Sequence, residues 1–480
     1  MNKPNAIVLV PDGVGVRNFV IGRFLNEMAQ VFHPHVFDII PEGMRHAYAD
    51  AVDPSVTWMP LIPYRQSHLA LLLQESLGYA HMYWANTHAM RRALARRPRG
   101  PFRSRAFMRT ARLLGRTAAA SGAIDLVDRA HCRVAARLPE FQQYREMFSR
   151  LEPAVLFCSH QRPTSVLPAV LAARSLGIPT ATFLFSWDNL SSKGRIAAPF
   201  DHFLVWSAHM RDELITYYPQ VPPEKIHIVG TPQFDPYGDP SMLWSREEFC
   251  RRAGLDPLRP VICYSGGDAG TAPEDPKHVA VLMGLVRSGL IRHNPQVVLR
   301  PVPVDDGARY ESVCRQYPEL KKLQPEWVHT DPGNWARVIP SAADVQFLAN
   351  LTHHSDLNVN LGSTMTLDFG IHDRPVVNVA FDCSDPPIFG MPVYDYYYCY
   401  EHLQPVIEFG ASRIARSPGE LAQFVNAYLD NPALDREGRR RLVALQVGMP
   451  LGQSSRRIVE VLTGVCFPQA DVLPKLCLST

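Results

Sequence analysis

Nine cysteines are scattered through the 480 residues, an odd number with no CxxC pair among them. That speaks against a disulfide framework and for a reducing compartment. No apolar run reaches the length of a membrane-spanning helix. The opening MNKPNAIVLVPDG enters a strand without the apolar stretch and cleavage site of a signal peptide, so a cytoplasmic location is expected. Internal repeats, heptad arrays and low-complexity tracts are all missing. The formal charge of +3 is too small for this length to imply a nucleic-acid partner. No DxD triplet sits in a suitable loop, so nothing in the sequence calls for a metal.

One absence is local. Between Glu75 and Asp125 there is no acidic residue, while arginine occupies positions 91, 92, 96, 97, 99, 103, 105, 109, 112 and 116. Phe102, Phe107, Met108, Leu113 and Leu114 are interleaved with them, inside a mostly helical pattern over residues 64–151. Such a face suits an anionic membrane surface or a phosphorylated acceptor; a solvated basic face without a partner is the commoner meaning of a charge run.

Hydrophobic residues make up 46% of the chain, enough for two or three cores. Outside the basic region, short valine-rich runs alternate with segments of helical period, which predicts α/β architecture with parallel, doubly wound sheets. Strands are expected at residues 6–10, 154–158, 180–185, 202–206 and 226–229, then again from residue 260. A proline-rich stretch, residues 236–259, separates the two series. The expected domains are 1–235, with the basic helical region inside it, and 260–445, followed by a C-terminal helix and tail (446–480) packing back on the first domain. Two Rossmann-like halves of this kind face each other across a crevice.

Loops at the carboxyl ends of strands line such a crevice. After the first strand come Asp12, Gly13, Gly15, Arg17 and Asn18; two glycines without the third make a weak dinucleotide signal, and the acidic residue usually found after a second strand is not evident. SHQRPT carries His160, and SWDNLSSKG carries Trp187 and Asp188. In the second half, Gly266 and Gly267 follow a strand, Arg300 ends another, and the turn Gly362–Ser363–Thr364 joins a strand to a helix. A glycine and two hydroxyls at a helix start offer donors and a positive dipole end to an anion; equally, Ser363 caps the helix.

IPTATFLFSWDNLSSKG, VWSAHMRDELITYYPQVPPEKIHIVGTPQFD, VVLRPVP and ADVQFLANLTHHSDLNVNLGSTMTLDFGIHDRPVVNVAFD, with the early VRN, give a specific resemblance. The chain resembles GT-B-type glycosyltransferases, and is similar to bacterial surface-carbohydrate transferases related to CDP-glycerol glycerophosphotransferases and UDP-N-acetylglucosamine 2-epimerases. The likeness covers most of residues 1–30 and 150–385 and leaves the arginine-rich region unmatched. It implies a nucleotide-sugar donor, a UDP-sugar first, in the carboxy-terminal domain. Ser363 and Thr364 would hold its diphosphate and Asp368 its ribose, although relatives place a longer glutamate there. Arg300 would neutralise phosphate charge, and Gly266 and Gly267 would admit the donor. A saccharide or lipid-linked acceptor would lie against Arg17, Asn18, Trp187 and Asp188. An inverting transfer needs a base, and Asp12, His160 and Asp188 are the candidates, with His160 or Asp12 ahead and Asp188 better explained as a residue tying its own loop. The expected activity is sugar transfer to a cell-envelope polysaccharide or glycolipid, probing a peripheral position on the membrane. Transfer of a CDP-linked polyol phosphate, epimerisation of a nucleotide sugar, and non-catalytic binding are the alternatives.

Overall fold

Valine-rich runs alternating with amphipathic segments build two parallel sheets in the computed structural model, which describes residues 3–96, 101–331 and 334–467. The first sheet has seven strands: β1 (Asn5–Val10), β2 (His33–Asp38), β3 (Thr57–Pro60), β4 (Val155–Cys158), β5 (Thr180–Phe183), β6 (His202–Val205) and β7 (Ile226–Ile228). Their order is β3-β2-β1-β4-β5-β6-β7, so the chain reverses direction across the sheet between β1 and β4. The ends of those two strands flank the topological switch point, where parallel α/β sheets place their ligands.

The second sheet contains β8 (Val261–Ser265), β9 (Gln296–Arg300) and β10 (Lys321–Lys322). After β11 (Trp327–His329) and β12 (Val338–Pro340) it is completed by β13 (Leu357–Asn360), β14 (Val376–Val379) and β15 (Arg413–Ala415). The sheet order is β10-β9-β8-β13-β14-β15. Two α/β domains facing a cleft make this a GT-B-like fold. The run at Trp327 is a strand that belongs to neither sheet: β11 and β12 pair antiparallel as a separate hairpin.

That hairpin explains one of the early glycines. A β-carbon on Gly13 would overlap the carbonyl oxygen of Val338 in β12, so the first loop of the amino-terminal domain lies directly on backbone of the other domain. Tyr48 reinforces the junction by donating its hydroxyl proton to the Pro340 carbonyl at 2.6 Å. Gly13→Ala is therefore expected to force the domains apart and to cost about 1–3 kcal/mol, as overpacking does. A urea titration and small-angle scattering check this; an unchanged midpoint and radius of gyration would show the contact to be dispensable.

The basic region forms helices at His68–Ala85, His88–Ala95, Phe102–Ala120, Ile124–Ala135 and Pro139–Leu151. Gly115 lets the third of these approach the first closely, over Ser76, Tyr79 and Ala80. At the other end of the chain, the helix Ser454–Cys466 buries Ile458, Val459 and Leu462 in the amino-terminal core. No helix among the described residues is long and apolar enough to cross a membrane.

Candidate active site at the domain junction

The end of β1 leads into Asp12, whose Oδ1 accepts from the Gly15 N–H at 2.7 Å and so fixes the loop. The next residues, Val16–Val20, form a π-helical turn, an arrangement frequent at functional sites. The end of β4, paired with β1, leads into Ser159 and His160. Asp12 Oδ2 and His160 Nδ1 are bonded. The sequence offers these two residues as competing bases; the fold joins them into one unit.

The carboxylate fixes the imidazole proton on Nδ1 and leaves the Nε2 lone pair available. Phe185 stacks on the ring at 4.1 Å between centroids and holds its plane. Burial pushes the Asp12 carboxyl up, but His160 and the backbone N–H groups of Gly15 and Val14 outweigh this and hold it below the usual carboxylate range. His160 is only 8% exposed, and its Nε2 has no partner among the described residues. Ser159 Oγ, directly after β4, and Asn18 Nδ2, in the π-helical turn, are likewise buried without a partner among the described residues. An unsatisfied buried polar group costs about 1–3 kcal/mol, so these three atoms are candidate ligand contacts.

Arg17 lies half-buried in the π-helical turn. Its Nε donates to Asn18 Oδ1 at 2.9 Å, and its electrostatic neighbours are Asp368, Tyr237, Asp344 and Asp12. The loop containing Trp187 and Asp188 closes the site from the side of β5. Trp187 Nε1 donates to Thr364 Oγ1 at 3.2 Å, a direct link between the domains, and its ring meets His402 edge-on. Asp188 accepts from Asn189 Nδ2 at 3.1 Å and from Ser192 Oγ at 2.9 Å, and pairs with Lys193. Its side chain thus ties its own loop together. Gln161 links that loop to β4, donating to Asn189 Oδ1 at 2.9 Å and accepting from the Phe185 N–H at 3.0 Å.

Across the cleft, Gly362 adopts φ +53°, the left-handed region that glycine tolerates, and turns the chain from β13 into the short helix Met365–Ile371. Ser363 donates its N–H to Asn360 Oδ1 at 2.9 Å and its Oγ accepts from the Met365 N–H at 3.3 Å. The hydroxyl of Ser363 therefore accepts from the first N–H of the helix, and that of Thr364 from Trp187; both retain a proton to donate.

Four residues expected to serve the donor have partners inside the protein. Arg300 gives Nη2 to Asp344 Oδ1 at 2.6 Å and Nη1 to the Leu323 carbonyl at 3.3 Å, and is buried. Its charge is matched internally rather than presented to a phosphate. A β-carbon on Gly266 would strike the Tyr310 hydroxyl, and one on Gly267 would come within 2.8 Å of Ala272 Cβ; close packing of their own domain accounts for both glycines. Asp368 is bonded by the Tyr237 hydroxyl from the linker, and burial pushes its carboxyl up to about 6.

Sequence reasoning passed over Ser159, Phe185 and Tyr237, which have no motif of their own. It also missed Asp38, the acidic residue that does end β2; its Oδ1 accepts from the Ile40 N–H at 2.7 Å, and burial raises its pKa to about 6. Among the described residues, no group of three or more His, Cys, Asp or Glu side chains is arranged to hold a metal ion.

No protein-family model matches the chain, and no curated protein matches it in sequence. Solved structures do match in fold. A UDP-N-acetylglucosamine 2-epimerase superposes with a TM-score of 0.55 at 12% identity, over 99% of each chain. The UDP-GlcNAc 2-epimerase of Neisseria meningitidis, solved with UDP-GlcNAc, gives 0.53 at 9% identity, over 96% of this chain and 99% of that one. The S. aureus MnaA–UDP complex gives 0.54 at 10%, over 96% of both. At these identities the likeness establishes the two-domain GT-B-like architecture.

Proposed function

We propose that the chain is a transferase that moves a sugar from a nucleotide-sugar donor, a UDP-sugar first among them, to a saccharide or lipid-linked acceptor of the cell envelope. The Asp12–His160 pair, with its unpartnered Nε2 at the switch point, carries this reading. In the reaction, an acceptor hydroxyl gives its proton to Nε2 as its oxygen forms a bond to the anomeric carbon. The bond from that carbon to the diphosphate oxygen breaks, and the nucleoside diphosphate leaves with the electron pair. Attack of this kind inverts the anomeric centre. The Ser363 and Thr364 hydroxyls, across the cleft, are suited to donate to the departing diphosphate. Because Nε2 is shielded in this closed arrangement, substrate entry requires the domains to part.

Incubating the purified chain with UDP-, GDP-, CDP- and CMP-sugars, with and without lipid acceptor, tests the reading by nucleotide release. No release and no binding with any of them would remove it. Epimerisation is the second reading, favoured by the named activity of the solved structures of like fold. It would give a new sugar nucleotide from UDP-GlcNAc alone, without acceptor and without net release of UDP.

The arginine-rich insertion supports a position at an anionic membrane, where lipid-linked acceptors are met. The fold divides its arginines. Arg92 donates to the Asp395 carbonyl at 3.3 Å, Arg96 to the Tyr396 hydroxyl at 2.6 Å and Arg112 to the Tyr83 hydroxyl at 2.8 Å, so these three serve contacts within the protein. Phe102, Arg105, Arg109, Leu113 and Arg116 recur at helical spacing and are all exposed, Phe102 at 72%. Arg97 and Arg99 lie outside the described residues. Reversing the charge of Arg105, Arg109 and Arg116 together is expected to abolish flotation with phosphatidylglycerol vesicles, at about 1 kcal/mol per arginine. Unaltered flotation would refute the membrane role of this face.

A further inference from the structure

Beside the Asp12–His160 pair stands a side chain that none of the contacts described so far uses. Arg162 follows His160 by two residues, at the end of β4, and makes neither a hydrogen bond nor an ion pair among the described residues. Arg162 is exposed, and its electrostatic neighbours are Asp188, Asp12 and Tyr218. Arg17 occupies the corresponding place after β1. It too has no ion pair among the described residues, and burial lowers its pKa.

The contrast with other arginines of the fold is informative. Arg300 pairs with Asp344, Arg195 with Asp128 at 2.7 Å, and Arg439 with Asp373 at 2.8 Å. A guanidinium without a paired carboxylate is open to an arriving anion, and one that is half-buried, as Arg17 is, gains most from it. Here two of them follow the two strands that supply the general-base pair, and the orphaned Nε2, Ser159 Oγ and Asn18 Nδ2 stand with them.

We propose that Arg162 and Arg17 form an anion subsite flanking His160, so that the acceptor carries a phosphate or carboxylate near its reacting hydroxyl. This deepens the transferase reading and rests on it for the word acceptor; the subsite itself is a binding property that can be measured without turnover. Guanidinium forks bind both anions through paired, charge-assisted hydrogen bonds. Held in that way, an acidic sugar or polyol phosphate would present a neighbouring hydroxyl to Nε2, whereas a neutral one would lack the anchor.

Titration calorimetry of the full chain with glycerol 3-phosphate, glucuronate, glycerol and UDP tests this, on the parent protein and on Arg162→Gln, Arg162→Lys and Arg17→Gln. One of the two acidic ligands is expected to bind and glycerol not, the preferred acid naming the anion. Arg162→Gln should weaken that ligand about tenfold or more, and Arg162→Lys less. UDP affinity should stay within about twofold for Arg162→Gln. Equal binding of glycerol and the acids, or no binding of either acid, would overturn the subsite. So would loss of UDP binding with retained acid binding in Arg162→Gln, because the guanidinium would then serve the donor diphosphate. Acid binding without any nucleotide release would keep the subsite and remove the transferase; release to a neutral acceptor alone would do the reverse.

Discussion

Replacing His160 with alanine is expected to lower acceptor-dependent nucleotide release by about two to four orders of magnitude, the usual contribution of a positioned general base. The loss should fall on kcat, because the imidazole acts on the acceptor proton only as the new bond forms. Asp12→Asn should also slow turnover. An amide can offer Nδ1 the wrong partner, which releases the ring from the tautomer that exposes the Nε2 lone pair. Since the two side chains act as one unit, the double variant should be scarcely slower than His160→Ala alone. Additive losses would mean that Asp12 has a separate task. Turnover within threefold of the parent protein in His160→Ala would place the base elsewhere. Asp188→Asn provides the internal comparison. Its carboxylate is engaged by Asn189, Ser192 and Lys193, so its replacement should loosen the loop over Trp187 and act chiefly on stability.

Much of this site was legible because buried parallel strands are continuous apolar runs, and polar residues directly after them mark the crevice. Asp12 and His160 were found in that way, each separately. Their union was not legible, since it depends on β1 and β4 being neighbours although 148 residues of chain lie between each facing pair, such as Leu9 and Cys158. Asp38 was hidden for a different reason. Its strand reads HPHVFD, with two histidines and a proline in place of an apolar run, and without the strand its terminal acid has no meaning. The donor-side residues show that the same pattern can carry a second meaning. Glycines and an arginine at strand ends suggest a ligand, but a tyrosine hydroxyl, an alanine methyl and a buried aspartate can require the same residues. Gly13 is the clearest instance, for the backbone it accommodates belongs to Val338, more than three hundred residues away in the sequence. Local pattern identifies which end of a sheet matters; partners across a domain junction decide what each residue there does.

Arg300 allows that distinction to be tested. Arg300→Met keeps much of the side-chain volume and removes the charge, leaving Asp344 with 5% of its side chain exposed and no cation. Removing one member of a buried pair costs about 3–5 kcal/mol, because the remaining charge is left uncompensated. Asp344 does more than pair: it accepts from the Glu326 N–H at 3.0 Å and from Trp327 Nε1 at 2.8 Å. The strain should therefore reach the β11–β12 hairpin and, through Val338, its seat on the Gly13 loop. The expected result is a urea midpoint lowered by that free energy, with UDP affinity of the folded protein unchanged within about twofold. If instead the midpoint stays and UDP binding is lost, Arg300 holds a phosphate and its link to Asp344 is incidental. A buried cation held by Asp344 and the Leu323 carbonyl of its own domain is not free to meet a ligand, and stability is where its removal should be felt.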